Sequence, residues 1–215
     1  MTSHARYSLA GRLGFCLAPA STASAIAERV VGDRARDLIG AAEEMTDDCV
    51  RDEIGRIETV PPPHRLYGDD AAVAMAGFAH WDLSPTHFSD GTYPVFKFAL
   101  QRDAAIEASR RKLSAFFSAS REPPMAEPIV MALYSMTLGD EVADLRGQDI
   151  AQIAALVRGK TPLRSLAPGV IFTDPAYPLA EWIAAFEARL IVACIRTHTI
   201  AFSWDGKSIA SPEPA

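Results

Sequence analysis

Apolar positions along the chain change spacing several times, and each change marks an element. From Ala23 to Val50 the residues Ile26, Val30, Val31, Leu38, Ile39 and Ala42 fall mostly at helical spacing, with Ser21 or Thr22 placed to cap. Gly32 and Gly40 interrupt that pattern, which predicts two short helices, followed by a new N-cap at Thr46-Asp47-Asp48. Thr59-Val60-Pro61-Pro62-Pro63 is a linker, because three prolines remove backbone donors and push each preceding residue toward extended geometry. Val73–His80 reads as a buried strand and Tyr93–Ala99 as a second, separated by the turn-rich Ser84-Pro85 and Ser89-Asp90-Gly91.

Asp103 to Phe117 reads as an amphipathic helix with Ala105, Ile106, Leu113, Phe116 and Phe117 as its apolar stripe and Arg110, Arg111 and Lys112 solvated; Pro123-Pro124 closes it. Ile129–Met136 is apolar enough for a central strand, and a short helix is expected over Asp149–Val157. Asp174-Pro175 opens a final helix at about Leu179–Ala188. Ile191–Trp204 then supplies one or two closing strands, ending in the turn Trp204-Asp205-Gly206-Lys207. The expected fold is α+β, a compact domain with a mixed or antiparallel sheet flanked by helices. Residues 1–60 form a helical lead-in packed on the core, 61–209 the main domain, and 210–215 a disordered tail.

Composition narrows the function classes. The 215 residues suit one domain; 49% are hydrophobic and 22% charged, the ordinary usage of a globular chain. A formal net charge of −6 argues against a nucleic-acid partner, which would call for a basic patch. No apolar run reaches a membrane span; the longest, around Leu190–Ile195, is flanked by Arg189 and Arg196. Arg6, Arg12, Leu13–Ala18 and Ala23-Ser24-Ala25 imitate a secretory leader, but the apolar part is short and is followed by Pro19. Cys16, Cys49 and Cys194 are far apart and lack metal-ligand spacing, so they read as small buried hydrophobes in a reducing, cytoplasmic compartment. Neither the G-x-S-x-G elbow, the phosphate loop, the G-x-G-x-x-G turn nor the H-E-x-x-H pair occurs. The acidic pairs Asp47-Asp48 and Asp69-Asp70 lack a coordinating pattern, so no metal is expected.

Several short motifs carry a resemblance by their order and spacing: Arg51-Asp52-Glu53 leading to Val60–Arg65 and Gly68, then Gly77-Phe78-Ala79-His80, then His87–Ala99. Glu122–Pro124, Asp144–Gly147, Ala184-Ala185-Phe186 and Trp204-Asp205-Gly206 complete the set. Together these resemble the RES family of NAD-degrading toxins. The resemblance implies a fold related to the ADP-ribosyltransferases, NAD as substrate or ligand, and a toxin–antitoxin setting. In such a site cationic side chains hold the pyrophosphate, an aromatic ring stacks on a base, and a carboxylate stabilises the ribose cation left when nicotinamide departs.

Carried onto this chain, the resemblance assigns catalysis to His87 and Glu107, and cofactor binding to Arg65, His80, Phe88, Ser89, Asp90, Gly91, Tyr93, Phe96 and Lys97. The chain departs from the family pattern at most of these roles. His87 stands where an arginine is usual and lacks a bidentate fork for phosphate. Phe96 and Lys97 occupy the places of tyrosines. The usual glutamate falls on Ala108, with Glu107 turned about 100° away around the helix. Leu17–Ser24 lacks the family's N-terminal arginine, and Pro178–Ile183 is shortened and lacks its serine.

Plainer roles compete at the same positions: a structural loop histidine at His87, an ordinary turn at Ser89-Asp90-Gly91 instead of backbone N–H groups offered to a ligand, an i,i+3 or i,i+4 ion pair at Glu107, and a tie from Arg65 to the Pro-rich linker. The expectation is a diverged RES-type protein with weakened or lost catalysis. Two alternatives stay open: an active NAD-consuming toxin rebuilt on His87, Tyr93 and Glu107, and a non-catalytic module binding an antitoxin or forming a homo-oligomer.

Overall fold

The computed structural model describes residues 4–19, 57–68, 70–80, 84–158 and 162–210. Among them the chain forms β1 (Arg6–Ser8), β2 (Leu13–Pro19), α1 (Ala71–Ala79), β3 (Phe96–Ala99), α2 (Arg102–Ser120), β4 (Ile129–Leu138), β5 (Glu141–Asp144), α3 (Ile150–Arg158), β6 (Gly169–Thr173), β7 (Glu181–Ala185) and β8 (Ile191–Phe202). The strands make one eight-stranded sheet in the order β1-β5-β6-β7-β3-β2-β4-β8. β5 and β6 run parallel and the other neighbours antiparallel, so the protein has an α+β fold with a mixed sheet.

Helices cover the sheet from two sides. On one side α1 sets Met75 and Phe78 into a core with Phe98, Met136, Ile171 and Ile183. On the other, α2 and α3 bring Ala105, Ile153 and Val157 onto Ala99, Val170, Phe172, Trp182 and Ala184. Alternation along the strands sends neighbours to opposite sides: in the register Phe96↔Ala185, Lys97↔Ala184, Phe98↔Ile183, Ala99↔Trp182, Phe96 and Phe98 face α1 while Lys97 and Ala99 face α2.

Four elements correct the sequence expectation. Val73–Ala79 lies in helix α1, with His80 as its C-cap, not in a strand: Ala71, Ala74, Met75, Phe78 and Ala79 are buried at helical spacing. Five alanines and a methionine favour helix there, and Val73 is the sole β-branched residue. Gly77 lets this helix close on the sheet, since a Cβ there would sit 2.4 Å from the Phe96 ring. The helix expected over Leu179–Ala188 is strand β7, buried between β6 and β3 on both faces and therefore without the alternation that marks half-exposed strands. Leu13–Ala18, read as leader-like, belongs to β2 and pairs with both β3 and β4. Of the expected helical lead-in, the described residues 4–19 hold β1 and β2, and Ile57–Thr59 form a single 3-10 turn.

Smaller differences follow. Tyr93–Val95 precede β3, and β4 is the penultimate strand, with β8 as a single edge strand. On α2, Phe116 leaves the apolar stripe and is 62% exposed. The expected helices over residues 23–50, the cap at Thr46–Asp48, Cys49 and the tail beyond Ala210 lie outside the described residues. No described helix is long and apolar enough to cross a membrane. Cys16 and Cys194 are free thiols, pushed up to about 12 by burial.

Candidate functional site

The segment from Thr86 to Tyr93 is built by its own side chains. Thr86 Oγ1 accepts from the N–H groups of Phe88 (3.1 Å) and Ser89 (3.0 Å). Ser89, buried, donates to the Tyr93 carbonyl (2.8 Å) and accepts from Gly91 N–H (3.1 Å). Asp90 accepts from the N–H and hydroxyl of Thr92, which hold its carboxyl below the usual range. The N–H groups of Ser89 and Gly91 are therefore committed inside the turn, and Gly91 takes φ +90°, a value suited to glycine. Tyr93 is a core residue: its hydroxyl donates to the Phe88 carbonyl (2.6 Å) and accepts from Leu163 N–H (3.3 Å).

Outside this turn lies a cavity of about 610 Å³ lined by Pro85, Thr86, His87, Asp90, Ala154, Val157 and Arg158. Its size is that of a small-molecule pocket, and its wall combines His87, Asp90 and Arg158 with an apolar floor from α3. Phe88 anchors the turn by packing on Phe172, with ring centroids 4.6 Å apart.

The same sheet face continues from Phe172 toward α2. Lys97 places its ammonium 5.4 Å from the Phe172 centroid and 5.3 Å from that of Trp182, and pairs with Asp174 at 2.8 Å. Trp182 stacks on Tyr177 at 5.3 Å, and the Arg111 guanidinium covers Tyr177 at 4.9 Å. The Trp182 indole N–H is buried and has no hydrogen-bond partner among the described residues. Burial works against ionisation of Asp174, yet the Lys97 hydrogen bond, the Ala176 N–H and the charges of Lys97 and His87 hold its carboxyl below the usual range.

Glu107 closes the row. One oxygen accepts from Arg110 (2.8 Å) and Arg111 (2.7 Å), the other from Arg110 (2.7 Å), and these bonds pull its carboxyl down to about 2. Each arginine also holds a distant carbonyl: Arg110 that of Ile209 at 2.9 Å, Arg111 that of Ala176 at 3.2 Å. Glu107 is thus the hub fastening α2 to two loops, and its charge is neutralised twice over. As a free anion beside a developing cation it has little left to give.

The sheet separates the eleven sequence-assigned residues. His87, Asp90, Lys97 and Glu107 share the α2 side, with Phe88, Ser89, Gly91 and Tyr93 buried or committed beneath them. Phe96 faces α1 and packs edge-on to Phe78 at 5.6 Å. His80 ends α1, its N–H bonded to the Ala76 carbonyl, and Arg65 donates from Nε to the Val60 carbonyl at 2.9 Å, tying down the Pro-rich linker. Consecutive residues in a strand cannot serve one cleft together, which parts Phe96 from Lys97.

Sequence reasoning missed Arg158, Phe172, Asp174, Tyr177 and Trp182. Asp174 was visible as half of Asp174-Pro175, but reading it as a helix start hid its position at the end of β6.

Other motifs have structural work. Arg146 of Asp144–Gly147 pairs with Asp144 (2.6 Å) and Glu181 and lies 4.3 Å over the Tyr7 ring, joining β1, β5 and β7. Glu122–Pro124 meets Trp204-Asp205-Gly206: the Trp204 indole donates to the Glu122 carbonyl at 3.1 Å. No group of three or more metal-ligating side chains occurs among the described residues. Asp70 accepts the Arg196 N–H at 2.7 Å, pinning α1 to β8.

No family model matches the chain. Among curated proteins it is similar to an uncharacterized protein of Sinorhizobium fredii, y4oC, at 25% identity over 192 residues, covering 86% of this chain and 80% of that protein.

Proposed function

We propose that the chain is a diverged RES-type protein that holds NAD against the α2 side of its sheet, with cleavage weakened or lost. The observation carrying this reading is the pairing of a cavity beside the Thr86–Gly91 turn with a Glu107 carboxylate already saturated by two guanidinium groups. The residues present suit binding: His87 and Arg158 for phosphate oxygens, Ala154 and Val157 for an apolar ring. Cleavage needs a carboxylate free to face the ribose cation when the bond to nicotinamide breaks, and Glu107 lacks that freedom. Loss of such a group costs on the order of a hundredfold or more in rate.

A cytoplasmic protein with free thiols, held by an antitoxin or by a second copy of itself, goes with this reading. Calorimetric titration with NAD, run beside an assay of NAD loss, tests it. Saturable binding without measurable consumption is expected. Absence of binding by both NAD and ADP-ribose at millimolar concentration would sink the ligand. Toxicity on expression with a fall in cellular NAD would favour the active alternative.

A further inference from the structure

We propose that Asp174 is the working carboxylate of this face and Lys97 its switch: a phosphate-bearing ligand captures the Lys97 ammonium and leaves Asp174 free to face the ligand's cationic or hydroxyl-bearing part. The inference rests on the nucleotide reading for its ligand, and on different residues for its geometry. Glu107 has both oxygens bonded to guanidinium groups. Asp174 instead spends one oxygen on the Ala176 N–H at 3.0 Å and the other on Lys97 alone among the described side chains.

Lys97 is suited to change partners. Its side chain is 39% exposed, so an anion can approach the ammonium from solvent, whereas Asp174 is only 15% exposed behind it. An ammonium carries three donors, and Asp174 receives one. The rings of Phe172 and Trp182 seat the ammonium from below, so it keeps its place when the carboxylate lets go. Arg111 over Tyr177 lies farther along the row, and Phe172, under the ammonium, packs on Phe88 of the turn whose Thr86 and His87 line the cavity. Phosphate, with more charge than one carboxylate and a better match to several donors, is the stronger competitor for Lys97.

Calorimetric titration with inorganic pyrophosphate and, separately, with NAD tests this on the full chain and on Lys97→Met and Asp174→Asn. Lys97→Met should weaken pyrophosphate binding at least tenfold. Asp174→Asn should tighten it several-fold by removing the competitor, and a gain of affinity cannot come from a damaged fold. Wild-type protein that ignores pyrophosphate, or variants that bind it like the wild type, overturn the proposal. If pyrophosphate responds as stated while NAD does not bind, the switch stands and the nucleotide reading falls. If NAD binds all three proteins equally, the nucleotide reading stands and the switch falls.

Discussion

Replacing Glu107 by glutamine keeps the shape of the hub on α2 and removes its charge. The carboxyl falls from an ordinary 4.5 to about 2 in the folded chain. At about 1.4 kcal/mol per pH unit, that sets a ceiling of roughly 3.5 kcal/mol on what ionisation of this group adds to stability at neutral pH. The side chain is 33% exposed, so solvent screening reduces the figure. Two ion pairs of this exposure contribute about 0.2–1 kcal/mol each, and the ties to Ile209 and Ala176 that they orient add to them, which brings the expected loss to about 1–2 kcal/mol. For a chain of this length that lowers the melting temperature by about 3–6 °C.

The sign with pH follows from a depressed folded-state value. The contribution is fully present above the unfolded pKa near 4.5 and disappears as pH falls through the folded value near 2. Thermal melts of wild type and Glu107→Gln should therefore differ at pH 7 and converge on acidification. Equal melting temperatures at pH 7 would refute the hub. Glu107→Gln that melts normally but abolishes a measured NAD turnover would make Glu107 a catalytic residue after all.

Three further substitutions test the scaffold around the site. Gly77→Ala places a Cβ 2.4 Å from Phe96 and 3.0 Å from that residue's own Cβ, so helix α1 must shift; a loss of about 1–2 kcal/mol in urea unfolding is expected despite the better helix propensity of alanine. Tyr93→Phe leaves the Phe88 carbonyl and Leu163 N–H without their buried partner, and should cost about 1–3 kcal/mol by the same measurement. Arg146→Gln releases Asp144 and leaves Glu181 to Arg12 alone, and should lower the melting temperature by a few degrees, with the gap to the wild type narrowing in high salt, which screens the wild-type pairing.

Where local chemistry dominates, the sequence was legible. The helical stripe and the Arg110 and Arg111 neighbours of Glu107 located α2, and the ion-pair alternative for Glu107 could be written down from spacing alone. The turn at Ser89-Asp90-Gly91 followed from residue types that bond their own backbone. What failed were segments whose apolar runs have no clear period. Ala71–Ala79 and Glu181–Ala185 are both nearly continuous in apolar residues, one a helix pressed on the sheet and the other a strand enclosed by it. Those two inversions hid the site's second half. Trp182 and Asp174 face Lys97 only because β7 lies between β3 and β6, a pairing no local pattern encodes.

The place of β2 has a consequence for assembly. Leu13 pairs with Thr137 and Phe15 with Ala99, so a strand that precedes both neighbours in sequence is the wedge that joins β3 to β4. Its two partners lie far away in sequence, Ala99 opposite Phe15 and Thr137 opposite Leu13, so both pairings close long loops, which predicts slow folding with high contact order. A chain cut after Pro19 would expose two raw strand margins in mid-sheet, inviting another molecule's strand into the gap.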